Sequence, residues 1–395
     1  MTADGRSRLP VICVLGESAL QVDHDGFAGL CRAASAEVGV PLTVSFHARE
    51  HDLVAAVQQA SEQGGGIVLI AGGLGDSRVV QQAALQAAAP LVWLDLAAAR
   101  DRRPEHLDPI AISSIRGRGL EGLSWAVRSL VARAAWPAIT ERYGPDVEHV
   151  GDLRVPSASA GPHPVCVLLH GGGWRERWER DLMDGIAADL CLRGYATWNL
   201  EYRRVGPSDG GWPNTLADAA AGIDHLTQFA GRHPLDLDRV ALLGHSAGGH
   251  LATWAATRGK LPVDAPGSQP AVHPALVVSI AGNPDLVLSA VRATDEGSTI
   301  ELMGGMPDEI PEAYALASPK ERLPLGCAQL LIWGTRDQPD LVDRNRRYCV
   351  AAVSAGDDID VLALAGADHF SVIDPTNIAW TAIVERLIRV FPVAG

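Results

Sequence analysis

The feature that most constrains the fold is a repeated alternation of short apolar runs with amphipathic helical stretches. It starts at residue 11, is interrupted by a polar, Pro/Gly/Ser-rich stretch at residues 143–164, and then resumes. Short apolar strands separated by helices are typical of parallel sheets covered by helices. A chain of 395 residues also exceeds what one hydrophobic core usually organises. The sequence therefore predicts an α/β protein with two domains, residues 1–140 and residues 141–395.

The composition argues against nucleic acid and membranes as partners. The formal net charge of -14 at pH 7 repels polyanions and anionic lipid. No apolar run approaches the about 20 residues of a membrane span, and the first ten residues lack the apolar centre of a signal peptide. The six cysteines are scattered without a C-x-x-C pair, which is typical of buried free thiols. We expect a cytoplasmic protein with a small-molecule substrate.

The strongest functional motif is the pentapeptide Gly244-His245-Ser246-Ala247-Gly248, which matches G-x-S-x-G. An apolar run precedes it and a helical run follows it, as a nucleophile elbow requires. Glycines are needed because a side chain at either flank of this strained turn would collide with the neighbouring strand or helix. The motif predicts Ser246 as the nucleophile. It also places the backbone N–H of Ala247 at a helix N-terminus, where it helps to bind an oxyanion.

A second motif, His170-Gly171-Gly172-Gly173-Trp174, directly follows an apolar strand. α/β-Hydrolases carry an H-G-G-G-type loop at this point. Consecutive glycines leave backbone N–H groups free to bind the negative oxygen of a tetrahedral intermediate. We predict Gly172 and Gly173 as these oxyanion donors, with Gly171 shaping the turn.

The partners of the serine must follow it in the chain, because the order in this fold is nucleophile, acid, histidine. Asp337 follows the apolar run 330–333, and His369 follows the run that ends at Leu364. Both positions lie just beyond strand ends, where α/β sheets build their sites. We predict His369 as the general base and Asp337 as the acid that orients it. Asp285, which follows the preceding strand, remains an alternative acid.

Two features are predicted to surround the substrate. Trp174 lies on a loop at the catalytic edge of the sheet and is predicted to contact an apolar or aromatic part of the substrate. The insert between Asp285 and Ala317 is long for a connection between a strand and a helix, and we expect it to cover the site. Its shape would then determine substrate choice.

The sequence indicates neither a metal site nor a cofactor. Its scattered histidines are not part of an H-E-x-x-H or C-x-x-C motif, in which metal ligands are often found. Acyl transfer by a serine nucleophile requires neither group.

Several motifs in residues 145–395 resemble the kynurenine formamidase and carboxylesterase branch of the α/β-hydrolases. They are His170-Gly171-Gly172-Gly173-Trp174, Glu201-Tyr202-Arg203, the segment from Gly244 to Leu251, and Gly366-Ala367-Asp368-His369-Phe370. The resemblance implies hydrolysis of an ester or amide, including an N-formyl arylamine, through an acyl-enzyme. One departure is Glu201, where esterases of this type often have Asp before Tyr-Arg.

The first domain resembles the type II 3-dehydroquinate dehydratases, which implies a flavodoxin-like fold and a homo-oligomer. The segments that carry the resemblance are residues 11–16, 50–54, 67–73 and 116–123. This sequence has no tyrosine before Tyr143, Ala71-Gly72-Gly73 replaces the family's Asn-Pro-Gly, and Asp95 stands where a histidine is expected. We therefore predict a domain without dehydratase chemistry that serves as a scaffold for oligomerisation or shapes access to the hydrolase site. A sensor that binds a small acid at Gly72-Gly73-Leu74-Gly75 is an alternative.

The sequence supports three functional hypotheses. The first is an esterase or amidase that acts on a small, partly aromatic substrate by Ser-His-Asp acyl transfer. The second is a binding or assembly protein in which the hydrolase fold no longer catalyses a reaction. The third keeps the same site for lyase or cyclisation chemistry in secondary metabolism, a use that the fold permits.

Overall fold

Two sheets organise the chain, one in each of two units. The computed structural model describes residues 11–16, 24–38, 40–96, 107–108, 110, 112–116, 121–157 and 161–393. The first unit comprises Met1–Ala138 and Glu176–Ala188, and the second comprises Ile139–Arg175 and Asp189–Gly395. Residues 117–120 of the dehydratase-like motif and residues 158–160 of the polar stretch lie outside the described residues.

The sheet of the first unit is entirely parallel, with strand order β2-β1-β3-β4-β5. This is the order of the flavodoxin-like doubly wound fold, so the predicted fold class is confirmed. The five residues of the central strand β3 are all buried, as expected where both faces of a parallel sheet are covered. The strands and helices are β1 (Val11–Gly16), α1 (His24–Val38), β2 (Leu42–His47), α2 (Glu50–Glu62), β3 (Gly66–Ile70), α3 (Arg78–Gln86), β4 (Leu91–Asp95), β5 (Ser113–Arg116) and α4 (Glu121–Ala135).

The first unit also contains a segment that is distant in sequence, Glu176–Ala188. The domain prediction placed these residues in the second domain. Their packing has a polar cause: Ser114 donates from its backbone N–H and its Oγ to the carboxylate of Glu179, at 3.0 and 2.7 Å. Arg133 pairs with the buried carboxylate of Asp184 at 2.8 Å. Buried carboxylates need such partners, and these partners lie in the first unit.

The second unit contains an eight-stranded sheet of order β13-β12-β11-β10-β8-β9-β7-β6. Strand β7 runs antiparallel to both of its neighbours, β6 and β9. The six remaining strands, β8 to β13, are all parallel to their neighbours within this group. Its elements are β6 (Ile139–Arg142), β7 (Val150–Arg154), β8 (His163–Leu169), β9 (Ala196–Leu200), α6 (Asn214–Asp224), α7 (Leu226–Ala230), β10 (Leu235–His245), α8 (Ala247–Ala256), β11 (Leu276–Ile280), α9 (Leu286–Val291), α10 (Ser298–Met303), α11 (Pro311–Ala317), β12 (Ala328–Gly334), α12 (Pro339–Ala355), β13 (Ile359–Leu364) and α13 (Ile378–Val390). Helix α5 (Asp184–Leu192) begins in the segment that belongs to the first unit and ends in the second.

The topology brings the predicted site residues to one edge of this sheet. The glycine loop follows β8, Ser246 follows β10, Asp337 follows β12 and His369 follows β13. Because these strands are parallel, their carboxyl ends lie at the same edge, which is where open α/β sheets bind ligands. Across the residues that the structure describes, no helix is long and apolar enough to cross a membrane.

Candidate active site

The turn at Ser246 has a strained backbone. Ser246 lies between β10 and α8 with φ 54° and ψ -115°, a conformation that residues with a Cβ rarely adopt. The surrounding structure holds it there, because the Ser246 N–H donates to the carbonyl of Ile280 at 2.8 Å. The side chain remains partly exposed, whereas Ala247 at the start of α8 is buried. This is the geometry of a nucleophile elbow.

The glycines of the elbow are required by close backbone contacts. A Cβ at Gly244 would lie 1.9 Å from the carbonyl oxygen of Gly248, and a Cβ at Gly248 would lie 1.9 Å from that of Leu169. Both contacts involve backbone, so no side-chain rotation relieves them. The elbow therefore packs directly against the end of β8, from which the glycine loop departs.

Replacing Gly248 by alanine should destabilise the protein by about 3 kcal/mol, because the added methyl group forces the elbow away from β8. Gly231 is a matched control, since a Cβ there meets nothing within 4 Å and its φ is -78°. We expect G231A to unfold at the wild-type urea concentration or slightly above it. Equal midpoints for G248A and wild type in urea titrations would contradict the prediction.

The glycine loop after β8 adopts backbone conformations that favour glycine. Gly172 has φ 119° and Gly173 has φ 65°. Position 171 requires glycine for another reason. A Cβ on Gly171 would lie 2.6 Å from Nδ1 of His245, so no larger residue fits. Trp174 also has positive φ, 56°, and its side chain is buried. The loop therefore presents its backbone in a conformation that few other sequences permit.

Two residues on the neighbouring strand end fix His170 at the start of this loop. Nε2 of His170 lies 2.9 Å from Oε1 of Glu201, and the hydroxyl of Tyr202 donates to the His170 carbonyl at 2.7 Å. The rings of His170 and Tyr202 stack with centroids 4.3 Å apart. In the sequence, Glu201 is only a departure from the motif of esterases of this type. The structure gives it a positioning role at the entrance of the glycine loop.

Asp337 and His369 are in direct contact. Nδ1 of His369 lies 2.9 Å from Oδ2 and 3.1 Å from Oδ1 of Asp337, whose carboxylate is buried. The loops that carry them are joined by backbone bonds: Thr335 donates to Leu364 and Arg336 donates to Ala367, both at 2.9 Å. A carboxylate in this position holds the ring with its proton on Nδ1 and leaves Nε2 as the basic nitrogen.

The alternative acid, Asp285, is engaged elsewhere. Its carboxylate caps α9 by accepting from the Leu288 N–H at 3.0 Å and pairs with Lys320 at 2.6 Å. These bonds fix the connection between β11 and α9. Among the described aspartates that follow late strands, Asp337 is the one in contact with His369.

The two histidines of the elbow, His245 and His250, have different surroundings. His245 lies with its ring centroid 4.8 Å from that of His369, and its Nε2 donates to the His369 carbonyl at 2.8 Å. His250 donates from Nε2 to the carbonyl of Ala317 at 3.0 Å and meets Trp174 edge to face. His245 therefore positions the histidine loop, and His250 packs beneath the glycine loop.

His250 should make the protein sensitive to acid. Burial lowers the pKa of His250 from 6.5 to about 4. The unfolded state therefore takes up a proton near pH 6.5 that the folded state accepts only near pH 4, so stability is lost as the pH falls through this window. The loss attributable to this residue is roughly 3 kcal/mol. Urea unfolding from pH 7 to pH 4 should show a weaker pH dependence in H250Q, and parallel curves would contradict the prediction.

The fold and the site define the class of protein. A mostly parallel eight-stranded sheet carries a serine elbow, a glycine loop and an acid-histidine pair at one edge, in the chain order of the α/β-hydrolases. The second unit has the fold of the α/β-hydrolases. Residues 152–342 match the BD-FAE family of α/β-hydrolase esterases, and the match covers just under half of the chain.

Known proteins resemble the second unit in sequence and in fold. Esterase LipC of Mycobacterium tuberculosis is 28% identical over 253 residues, covering 61% of this chain and 61% of LipC. The chain spans less than two thirds of the length of the curated esterases that it matches. A truncated carbohydrate esterase from gut microbiota superposes with a TM-score of 0.56 at 19% identity, over 66% of this chain and 98% of that structure.

The N-terminal part of the chain has a relative of another kind. The 3-dehydroquinate dehydratase of Mycolicibacterium paratuberculosis is 32% identical over 117 residues, which are 82% of that enzyme and 28% of this chain. The N-terminal part is thus homologous to this family. The flavodoxin-like strand order of the first unit agrees with the relationship.

Proposed function

We propose that the second unit hydrolyses a carboxylic ester through an acyl-enzyme formed on Ser246. The observation that carries the proposal is the contact between Nδ1 of His369 and the buried carboxylate of Asp337, at 2.9 Å. Such a pair makes a histidine basic and correctly oriented, which a serine nucleophile requires. The similarity to esterase LipC and to the BD-FAE family supports an ester as the substrate.

In the proposed mechanism, Nε2 of His369 takes the proton of Ser246 as Oγ attacks the ester carbonyl carbon. The N–H groups of Gly172, Gly173 and Ala247 bind the oxyanion of the tetrahedral intermediate. The intermediate collapses, its carbon-oxygen bond to the alcohol breaks, and His369 returns the proton to the departing alcohol. Water then repeats these steps on the acyl-enzyme and releases the acid and free Ser246.

The substrate should be small and partly aromatic, with Trp174 in contact with it. A panel of p-nitrophenyl esters and N-formylkynurenine, run on the full-length protein, tests the bond that is cleaved. We expect turnover of esters to exceed that of the formamide. Turnover of the formamide alone would instead assign the protein to the formamidases, which the motifs at Ser246 and His369 also resemble. Failure of a fluorophosphonate probe to label the protein would favour the non-catalytic binding role.

Product analysis separates hydrolysis from lyase or cyclisation chemistry at the same residues. Hydrolysis in water enriched in oxygen-18 places the heavy oxygen in the released acid, because water attacks the acyl-enzyme. An unlabelled product would show that the acyl group leaves by an internal reaction and would overturn the hydrolytic proposal.

We propose that the first unit is a non-catalytic scaffold through which the chain forms a homo-oligomer. The proposal is supported by the residues that replace family positions, Ala71-Gly72-Gly73 and Asp95. We expect the full-length protein not to dehydrate 3-dehydroquinate and to sediment as a species larger than one chain. A monomer in sedimentation velocity would contradict the proposed scaffold role. Formation of the dehydrated product would contradict the proposed loss of dehydratase activity.

A further inference from the structure

A buried serine hydroxyl lies beside the glycine loop of the second unit. Ser298 is the first residue of α10 and is 1% exposed. A methyl group added at Gly173 would lie 3.5 Å from Cβ and 3.6 Å from Oγ of Ser298. Its Oγ has no hydrogen-bond partner in the part of the chain that the structure describes. Buried hydroxyls are normally paired, so this one is available to a hydrogen-bonding group of a bound molecule.

The indole N–H of Trp174 is also buried without a hydrogen-bond partner among the described residues. Trp174 directly follows Gly173, is 2% exposed, and its Nε1 finds no acceptor within the described ranges. Indole nitrogen is a donor only, and a serine hydroxyl is able to donate as well. Two buried donors without partners in the described ranges therefore adjoin Gly173, one on the next residue of the chain and one on α10.

The contacts at the two ends of the glycine loop indicate which half of an ester lies near Ser298 and Trp174. At one end, Gly171 packs against His245, which in turn donates to the His369 carbonyl at 2.8 Å. The alcohol leaves toward His369, because it takes its proton from that ring. The other end, at Gly173 and Trp174, contacts Ser298 and His250 instead. An acyl half that extends from Ser246 away from His369 extends toward this end of the loop.

An ion pair holds α10 in place beside the loop. Arg175, the next residue after Trp174, donates from Nε and from one terminal nitrogen to the two carboxylate oxygens of Glu301, at 2.7 and 2.8 Å. The same guanidinium donates to the carbonyl of Glu296 at 2.8 Å. Bidentate pairs of this kind fix orientation as well as distance. Ser298, which lies between Glu296 and Glu301, is therefore held close to Gly173.

We infer that Ser298 and Trp174 form a binding site for an oxygen atom of the acyl group. The preferred esters then carry an ether, hydroxyl or carbonyl oxygen on the acyl chain near the scissile carbonyl. A hydrocarbon acyl group of the same length leaves both buried donors unpaired, and sites built around polar groups reject such analogues. The inference rests on the proposed ester hydrolysis and specifies its substrate class.

The test compares two p-nitrophenyl esters of equal chain length, methoxyacetate and butyrate, which differ by one oxygen in place of a methylene. The readout is the ratio of their kcat/KM values in each variant divided by the ratio in wild type, which cancels the intrinsic reactivity of the esters. Loss of one hydrogen bond predicts a fall of about 10-fold in this ratio for S298A. W174F keeps an aromatic ring, removes the indole N–H, and should also lower the ratio.

Ser289 provides a matched control in the same insert. Its hydroxyl is buried but fully engaged, with Thr299 at 2.8 Å and Arg344 at 2.7 Å. S289A should lower the melting temperature and leave the ester ratio unchanged, whereas S298A should change the ratio without lowering the melting temperature.

Three results would overturn the inference, and they are distinguishable. An unchanged ratio in both S298A and W174F would contradict the inferred oxygen-binding site without contradicting the proposed ester hydrolysis. An equal change in S289A assigns the effect to packing of the insert. If wild-type protein hydrolyses neither ester and its Ser246 is not labelled by a fluorophosphonate, the proposed function fails and the inference fails with it.

Discussion

Ser246→Ala should lower kcat/KM for ester substrates by about 10⁵-fold, because without Oγ no acyl-enzyme forms. The folded state should be retained, since the partly exposed hydroxyl contributes little packing. Ser246→Gly should be equally inactive but more stable by about 1 kcal/mol, because glycine adopts φ 54° without strain. Steady-state kinetics and urea unfolding measure the two effects separately.

A matched control for the nucleophile is Ser354→Ala. Ser354 is exposed on α12, and its hydroxyl donates only to the carbonyl one turn earlier at 2.8 Å. A fluorophosphonate probe should label wild type and S354A to the same extent and should not label S246A. Equal labelling of S246A and wild type would show that another residue is the nucleophile.

The local motifs could be predicted from the sequence because the residues that build them are adjacent in the chain. The elbow requires a strand, two small flanking residues and a helix, and all are contiguous around Ser246. The glycine loop is similar, since the positive φ values of Gly172 and Gly173 belong to backbone that only glycine adopts readily. The parallel pairing of most strands in both sheets follows from the same alternation of strands and helices.

The sequence predicts Asp337 as the acid but does not exclude Asp285. Asp285 and Asp337 both follow parallel strands, β11 and β12, which are neighbours in the sheet. Spacing alone leaves either within reach of a histidine after β13. Asp285 is occupied because α9 begins at the next residue and needs a cap, and because Lys320 lies close to it. Such occupancy depends on side chains far apart in sequence.

Residues that support the site escaped prediction for the same reason. Glu201 holds His170 across 31 positions, and Arg175 reaches Glu301 across 126. No periodicity or spacing rule connects such pairs. Segment Glu176–Ala188 is a further case, because its place in the first unit is decided by polar contacts to Ser114 and Arg133. Sequence patterns identify the chemistry, and tertiary contacts decide how it is held.

Asp337→Asn should lower kcat by about 10⁴-fold while the protein stays folded. The amide has the size of the carboxylate and still accepts from the Gln338 N–H, now 2.7 Å from Oδ1. It carries no charge to stabilise the imidazolium of His369, and its NH₂ group favours the tautomer with the proton on Nε2, which cannot accept the proton of Ser246. Pre-steady-state kinetics with p-nitrophenyl butyrate should show that acylation is the slowed step.

Asp285→Asn is the control that decides between the two acids. It removes the charge that pairs with Lys320 in a buried position, so its free energy of unfolding should fall by about 1 to 2 kcal/mol. Its kcat should remain within about threefold of wild type, because Asp285 bonds to α9 and Lys320 and His369 bonds to Asp337. The opposite pattern, an inactive D285N and an active D337N, would require the histidine loop to move away from β12 during the reaction. That movement would have to break the backbone bonds from Thr335 and Arg336 to the loop, and the structure gives no reason to expect it.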